Sequence, residues 1–356
     1  MDSVIRTMLE AGLQAPSGEN AQPWRFSVSD QTILLFNHEE SDQSLYNFNG
    51  YGSLVCEGAC VENMVIAGEA LGKSISVTLF PDSGNKNVVA ELKIIDEVVD
   101  TTSAQLLAPH IPTRTTNRKP YAKVPLDTEV AQILEDAAQR FVSDQIYFKR
   151  ITSRKDIASL GPFASTNEKI MLGNQELHHF FFSHLTWTEK EDTEKKVGFY
   201  IKTLELPPPI QSLFRVFAKW SVMRVLKKVG FTSLVGKGNA QTYISSSEMG
   251  LLSISSMNRE QFVNVGRAFQ RIWLTAESRG LSIQPLTGTI FMNFFVENIP
   301  EGHFSASERM TLKKQMSIIK KFSESSDHIP VVLYRIGKAP KPSARARRFT
   351  LEELLV

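Results

Sequence analysis

The sequence predicts an α+β protein built from two tandem copies of one unit, because two distant helical segments match each other. Residues 58–72 and 266–280 both run from glycine to glycine, and their starts lie 208 residues apart. Apolar residues recur in both at helical spacing, as expected for a buried helix that ends at a C-cap glycine. Two unrelated buried helices ending in glycine are the alternative that this match leaves open. A β-branched stretch and then an alternating apolar strand follow each helix, at 74–79 and 88–95 and again at 281–283 and 330–336.

The other elements follow in chain order. The first copy opens with a predicted helix over 4–14, a turn-rich segment over 15–24, and strands at 24–28 and 32–36. The second copy begins near Pro112, and its first helix is predicted over 127–141 with Asp127 as the N-cap.

Composition limits the class of protein. The 356 residues are 42% apolar and carry a net charge of +2, which is typical of an ordinary globular protein and excludes a chain-wide nucleic-acid surface. No run of 18 uncharged apolar residues predicts a membrane span. Cys56 and Cys60 fit neither a disulfide within one helix nor a zinc quartet, so we expect a cytoplasmic protein. Residues 1–100 hold 15 acidic and 5 basic side chains, so an anion site should draw on the positive remainder.

Four segments carry residues suited to a polar or anionic ligand. The loop at 15–24 combines prolines with amides and a hydroxyl, and the segment at 114–118 combines two arginines with two threonines, which suits a phosphate. A loop at 284–288 ends in a glycine that lets backbone approach a ligand, and the tail holds Arg345, Arg347 and Arg348. Taken alone, the loop at 15–24 also fits a surface connection, the segment at 114–118 a solvated turn, and the basic tail a solvated stretch.

Taken in this order, the segments APSGENAQPWRF, RTTNRKPY, GRAFQRIWLTAESRGLSIQPLTG and IPVVLYRIGKAP resemble the nitroreductase-like family of flavoproteins, in its double-copy (Acg-type) branch. The resemblance implies a nitroreductase-like α+β fold that holds FMN at a dimer interface and passes hydride from NAD(P)H to an acceptor. It implies that Arg114, Thr116 and Arg118 hold the FMN phosphate and ribityl chain, with Arg347 and Arg348 closing on the phosphate. Residues that it places against the flavin ring are Pro285, Thr287 and Gly288 and, from the other copy, Pro16, Ser17, Asn20 and Gln22.

The chain departs from the family pattern in an informative way. The first copy has only the proline-serine-asparagine loop, and the second has only the arginine motif. We therefore expect an intramolecular pseudo-dimer with one FMN site, formed by a first copy over 1–110 and a second over 111–356.

The segment 207–236 is the candidate lid over the flavin. No acidic residue occurs between Glu205 and Glu248, and the segment has a basic amphipathic pattern. A plain helical insertion is an equal alternative, and a membrane-surface helix is the least favoured one.

Two functions compete on this basis. The first is hydride transfer from NAD(P)H through FMN to an unknown acceptor, which needs no dedicated catalytic acid or base because the cofactor supplies the chemistry. The second is a flavin-binding or sequestering protein whose lid excludes the nicotinamide. The expected partners are FMN, NAD(P)H and a small-molecule acceptor, with no metal, nucleic acid or membrane partner and with oligomeric state left open.

Overall fold

The computed structural model describes residues 1–95 and 97–356, and its first helix begins where the sequence supplies a cap. The Asp2 carboxylate accepts a hydrogen bond from the Val4 amide at 2.6 Å, which satisfies one of the free N–H groups of the first turn. Ile5, Met8 and Leu9 then follow at helical spacing and are buried. In chain order the described α-helices are α1 (Ser3–Gly12), α2 (Tyr51–Ala70), α3 (Thr102–Leu107), α4 (Thr128–Gln139), α5 (Arg154–Ala164), α6 (Thr166–Gly173), α7 (Gln175–Ser183), α8 (Glu189–Lys195), α9 (Pro208–Phe217), α10 (Trp220–Lys228), α11 (Phe231–Ile244), α12 (Arg259–Ser278), α13 (Gly288–Asn298) and α14 (Ala306–Ile319).

Two four-stranded antiparallel sheets have the same topology. The strands of the described residues are β1 (Trp24–Ser29), β2 (Thr32–Asn37), β3 (Ser74–Leu79), β4 (Val88–Ile95), β5 (Ile146–Ile151), β6 (Leu185–Thr186), β7 (Phe199–Tyr200), β8 (Glu248–Ile254), β9 (Ser282–Pro285) and β10 (Ile329–Gly337). The first sheet has the order β1-β2-β4-β3 and the second has β5-β8-β10-β9. Numbered within its own sheet, each follows the order first-second-fourth-third, so the two units repeat one topology.

The long helices α2 and α12 occupy equivalent places in the chain, each following the second strand of its sheet and preceding the third in sequence. They cross where both carry a glycine. A Cβ at Gly58 would overlap the Val263 carbonyl, and a Cβ at Gly266 would overlap the Val55 carbonyl. Each glycine thus meets the residue three positions before the other, at the 208-residue offset of the sequence repeat. The crossing is therefore a pseudo-twofold contact, in which the absence of a side chain lets the backbones touch.

Polar pairs next to this crossing show how the copies have diverged. The Gln270 side chain donates to Asn63 Oδ1 at 2.7 Å, and Arg271 Nε donates to Glu62 Oε1 at 2.5 Å. These two contacts are related by the same 208-residue offset, yet one is a neutral amide pair and the other an ion pair. Glu62 and Arg271 are buried, and each has a second partner, since Arg267 also pairs with Glu62 at 3.1 Å and Glu69 lies 3.9 Å from Arg271.

The second unit carries two insertions that the first lacks. Helices α5 to α11 lie between β5 and β8, and α13 and α14 lie between β9 and β10. Side chains of α6, α7, α10 and α13 form a separate apolar cluster around Met223, Phe181 and Met292. This helical layer places β7 and the turn after it near the loop at 15–24.

The chain ends on the sheet of the opposite unit. The Phe26 amide donates to the Leu354 carbonyl at 2.9 Å, and the Val356 amide donates to the Phe26 carbonyl at 2.8 Å. The segment after β10 therefore crosses from the second sheet to the edge strand of the first. In space the last residues accompany the first unit, and the division at 110/111 remains a prediction.

The predicted α+β class and tandem organisation are confirmed by this topology. The bounds of β3 and β4 match the expected ranges, while α2 and α12 begin seven residues before the predicted glycines. Asp127 stands at the N-cap of α4 as expected, although its side chain makes no capping hydrogen bond. Both cysteines are free thiols. Among the described helices, none is long and apolar enough to cross a bilayer.

Candidate anion-binding site

The loop after α1 has an unusual backbone. Glu19, Asn20 and Gln22 adopt left-handed conformations, with φ of 45°, 57° and 51°. Such angles are uncommon for residues other than glycine, and asparagine tolerates them better than most. The loop is held by contacts elsewhere in the chain, since the Gly198 amide donates to the Glu19 carbonyl at 2.7 Å.

Asn20 and Gln22 supply most of these holding contacts. Asn20 Nδ2 donates to the carbonyls of Lys196 at 2.8 Å and Arg347 at 2.9 Å. Gln22 is fully buried, donates to the Lys196 carbonyl at 2.8 Å and accepts from the Phe349 amide at 2.9 Å. Both side chains therefore join the loop to the inserted layer and to the C-terminal segment, and Gln22 has no surface left for a ligand.

The arginine motif follows α3 and turns its charges inward. Arg114 is 2% exposed, its guanidinium carbon lies 4.4 Å from the centre of the Trp273 ring, and one nitrogen donates to the Gln14 carbonyl at 3.0 Å. Arg118 donates to the Thr203 carbonyl at 3.0 Å. Stacking on an aromatic face fixes a planar guanidinium without neutralising it.

The C-terminal segment contributes two more arginines and diverts a third. Arg345 donates to the Gln14 side chain at 2.8 Å, and Arg348 donates to the Ala15 carbonyl at 3.1 Å and to the Asn20 side chain. Arg347 instead points to α8, where it meets Glu189 at 3.1 Å with half of its side chain exposed. The structure therefore brings Arg345 and Arg348 to the motif at 114–118 and leaves Arg347 outside.

These segments line a partly open pocket of about 70 Å³. That volume is below the roughly 300–1,000 Å³ of ordinary small-molecule sites and suits a small anionic group. The residues that line it are Pro16, Ser17, Asn20, Arg114, Thr115, Thr116, Arg118, Gly198, Phe199, Thr203, Arg345, Ala346 and Arg348. Seven of the twelve residues expected at the cofactor site are among them.

The charge of this pocket is unbalanced. Within the described ranges, no carboxylate forms an ion pair with any of its four arginines. The Nε atoms of Arg114, Arg345 and Arg348 are buried and have no hydrogen-bond partner. Burying a polar group without a partner costs free energy, and burying like charges together costs more.

Burial, and after it the neighbouring cations, lowers the pKa values of Arg114 and Arg348. Burial, and then the neighbouring Arg345, lowers the pKa of Arg348 to about 9. Burial, and then Arg348 and Arg345, lowers the pKa of Arg114 well below its ordinary value. Both shifts mean that the cationic forms are destabilised in the ligand-free protein, and a bound anion would reverse that effect.

The three residues expected against the flavin ring lie at the junction of β9 and α13. Pro285 ends the strand, Thr287 precedes the helix, and Gly288 begins it. A Cβ at Gly288 would overlap the Asn167 side chain, so α6 is seated directly on this turn. Pro285, Thr287 and Gly288 do not line the arginine pocket.

The candidate lid lies elsewhere than the pocket wall. Helices α9 and α10 pack their inner side chains, including Phe214, Phe217 and Met223, on the apolar cluster formed with α6 and α7. Phe199 and Thr203, which precede the expected segment 207–236, line the pocket instead. The assignment of 207–236 as the lid remains a prediction.

Sequence reasoning missed Gly198, Phe199 and Thr203 because they stand in the insertion, far from every recognised motif. Gly198 has φ of 88°, and a Cβ there would overlap the His184 carbonyl, so the turn needs glycine. An isolated glycine before an aromatic residue is too common to have signalled a site. In the part of the chain that the structure describes, no group of three potential metal ligands occurs.

Comparison with known proteins finds one relative that matches nearly the whole of this chain and others that match about a third of it. An uncharacterised protein of Mycobacterium tuberculosis strain CDC 1551 is 22% identical over 341 residues, which cover 95% of this chain and 46% of that protein. A protein of the same organism named provisionally as the NAD(P)H nitroreductase Acg is 31% identical over 124 residues, which cover 34% of this chain and 37% of that protein. Over those residues, the chain is similar to a protein that carries a provisional nitroreductase name. A second M. tuberculosis protein with a provisional NAD(P)H nitroreductase name is 30% identical over 122 residues, covering 34% and 35%.

The chain spans about half or less of the length of the curated relatives it matches. No protein-family model matches it. Among solved structures, the FMN-dependent nitroreductase NfnB of Mycobacterium smegmatis in complex with NADPH has a TM-score of 0.39 at 10% identity, covering 71% of this chain and 96% of that one. An FMN-bound nitroreductase of Desulfitobacterium hafniense has a TM-score of 0.36 at 11% identity, covering 70% and 97%.

Proposed function

We propose that the chain binds FMN and acts as an oxidoreductase that passes hydride from NAD(P)H to a small-molecule acceptor. The observation that carries this proposal is the pocket in which four arginines converge without a carboxylate partner. An isolated cluster of buried cations is unfavourable, whereas a phosphate would satisfy their free N–H groups and offset their charge. The provisional NAD(P)H nitroreductase names of two locally similar proteins support NAD(P)H as the hydride donor. FMN is the phosphate-bearing ligand that the family resemblance of the motifs at 15–24 and 114–118 implies.

The residues present suit the phosphate end of the cofactor. Arg114, Arg345 and Arg348 each have a buried Nε–H without an acceptor, and the hydroxyl of Thr116 adds a neutral donor to the pocket wall. Trp273 behind Arg114 keeps its guanidinium from swinging away. These residues would bind and orient the phosphate, with Ser17 and Pro16 on the opposite wall.

The bound flavin would supply the hydride chemistry, and the protein would supply position and electrostatics. Pro285, Thr287 and Gly288 are the proposed contacts of the ring because the family resemblance places them there. The single set of arginines supports one FMN per chain. No side chain is assigned as a catalytic acid or base.

A second candidate function is flavin binding without turnover. Asn167 of α6 is seated on Gly288, and Phe199 and Thr203 close one wall of the arginine pocket. If these contacts persist with FMN bound, the nicotinamide has no place to stack against the ring, and hydride transfer requires such contact.

An absorbance spectrum of the purified protein tests the proposal, followed by heat release of the flavin and its quantitation against protein. We expect flavin bands and a ratio near one FMN per chain. A colourless protein that takes up no FMN would overturn the proposal, and a ratio near two would overturn the one-site arrangement. Anaerobic stopped-flow mixing with NADPH then separates the two candidates, since fast bleaching identifies a reductase and very slow bleaching a flavin-holding protein.

A further inference from the structure

Exposed apolar side chains are concentrated on one part of the inserted layer. Among the described residues, thirteen large apolar side chains are classed as exposed, and six of them belong to the 30-residue segment 207–236. Their exposed fractions reach 58% at Val225, 76% at Val229 and 66% at Leu234. Single exposed apolar residues are ordinary, but a cluster of this kind marks an interaction surface. The six are Ile210, Leu213, Val216, Val225, Val229 and Leu234.

Cations alternate with these apolar residues, and no acid does. Between Glu205 and Glu248 the chain holds six basic side chains and no acidic one, and all six are exposed. They are Arg215, Lys219, Arg224, Lys227, Lys228 and Lys237. Lys227 donates to the Gly173 carbonyl at 2.6 Å, and Arg215 lies over the Trp187 ring. Within the described ranges, Lys219, Arg224, Lys228 and Lys237 make no side-chain hydrogen bond or ion pair, so their charge faces solvent.

The helices that carry this surface are firmly seated on the protein. Met223 of α10 is fully buried, and Phe214, Phe217 and Phe231 pack into the same apolar cluster. Aromatic side chains therefore point inward, while aliphatic and basic side chains point outward. We call this outward side of α9, α10 and the start of α11 the basic apolar face.

We propose that the basic apolar face binds the surface of an anionic lipid membrane. Lys227 lies 4.0 Å from the Glu308 carboxylate, and the cations of the face that have no acidic partner are complementary to anionic headgroups. The interspersed Val, Leu and Ile side chains can enter the interface while lysine stems reach back to the headgroups. Protein-protein hot spots are instead rich in Trp, Tyr and Arg and poor in Lys, which is the reverse of this face.

The proposal concerns surface binding and requires no helix that spans the bilayer. From the sequence pattern alone, a membrane-surface helix is the least favoured alternative for this segment. The structure favours it, because only the structure separates the outward aliphatic side chains from the inward aromatic ones. It is independent of the proposed FMN chemistry, since none of the residues in 207–236 lines the arginine pocket.

Sedimentation with vesicles tests the proposal on the full chain. We expect binding to phosphatidylcholine vesicles that contain phosphatidylserine, little binding to pure phosphatidylcholine vesicles, and weakening at high salt because the charges are exposed. The double variant Arg224→Gln/Lys228→Gln should weaken binding roughly 30-fold, at about 1 kcal/mol per basic residue. Val225→Ser/Val229→Ser should also weaken vesicle binding, and the effect of these substitutions should be larger at high salt.

Lys313→Gln/Lys314→Gln is the matched control, because these lysines are exposed neighbours on α14 and their replacement removes the same net charge as Arg224→Gln/Lys228→Gln. The control should leave vesicle binding within about twofold, and circular dichroism should show every variant folded, since all the substituted side chains are exposed. If the protein fails to sediment with anionic vesicles at low salt, the proposal is overturned. Equal weakening of vesicle binding by the control pair would also overturn it. Self-association that Arg224→Gln/Lys228→Gln disperses, without vesicle binding, would assign the face to a second copy of the chain and would likewise overturn it.

Discussion

Replacing Arg348 with glutamine should weaken FMN binding far more than the same replacement at the adjacent Arg347. Arg348 lies in the pocket wall with a buried, unpartnered Nε, whereas Arg347 is half-exposed and pairs with Glu189 at 3.1 Å. A charge-assisted hydrogen bond contributes about 1.5–3 kcal/mol, which corresponds to a roughly 10- to 150-fold rise in Kd. An exposed ion pair contributes about 0–1 kcal/mol, so Arg347→Gln should leave Kd within about fivefold.

The loss at Arg348 has a second possible origin that the assay must separate. Arg348 also donates to the Ala15 carbonyl at 3.1 Å and to the Asn20 side chain, so its removal could loosen the loop after α1. Riboflavin lacks the phosphate but retains the ring. A phosphate contact therefore predicts that Arg348→Gln raises Kd for FMN and leaves Kd for riboflavin within about threefold.

Fluorescence titration of the flavin-free protein with each ligand gives both constants. Ser17→Ala is a useful third variant, because it removes a neutral hydrogen bond of about 0.5–1.5 kcal/mol and should act on FMN less than Arg348→Gln or Arg114→Gln. Equal loss of FMN and riboflavin affinity in Arg348→Gln would refute the placement of the phosphate, and so would a larger loss in Arg347→Gln.

The remaining predictions concern packing, titration and the loop. Gly58→Ala should destabilise the protein by about 1–3 kcal/mol, since the new Cβ meets the Val263 backbone. Gly238→Ala, in the open part of α11, should stabilise it by up to about 1 kcal/mol. The urea unfolding midpoints of the two variants should therefore move in opposite directions. Glu57 is fully buried without a hydrogen-bond partner, and burial raises its pKa to about 8. Folding favours its protonated form, so the stability that Glu57 contributes is fully present below its unfolded pKa of 4.5 and is lost as pH rises towards 8. Glu57→Gln should lack this loss and be more stable than the wild type by about 1–3 kcal/mol at higher pH; thermal melts that keep the same pH slope in both proteins would count against this. Asn20→Ala should weaken the binding of both FMN and riboflavin and increase proteolysis of the C-terminal segment, because Asn20 joins the loop to the carbonyls of Lys196 and Arg347. A C-terminal segment that stays intact under limited proteolysis would contradict that role.

The tandem organisation was readable from the sequence because a repeated helix needs the same local pattern in each copy. The glycines at 58 and 266 had to be equivalent, since a pseudo-twofold crossing places each against the other helix's backbone. Strand alternation and turn residues also predicted β3 and β4, because those signals are local. The arginine-threonine inventory at 114–118 indicated phosphate chemistry for the same reason.

Only the tertiary structure decided which of these residues meet. Asn20 contacts residues 196 and 347, and Arg118 contacts residue 203, across sequence separations that no local pattern encodes. In the tail, Arg345 and Arg348 face the pocket while Arg347 faces α8, because the direction of each side chain depends on how the extended segment docks on the loop after α1. Phe199 and Thr203 complete the pocket through the packing of a large insertion, and side-chain packing of that kind is fixed only when the whole chain has folded.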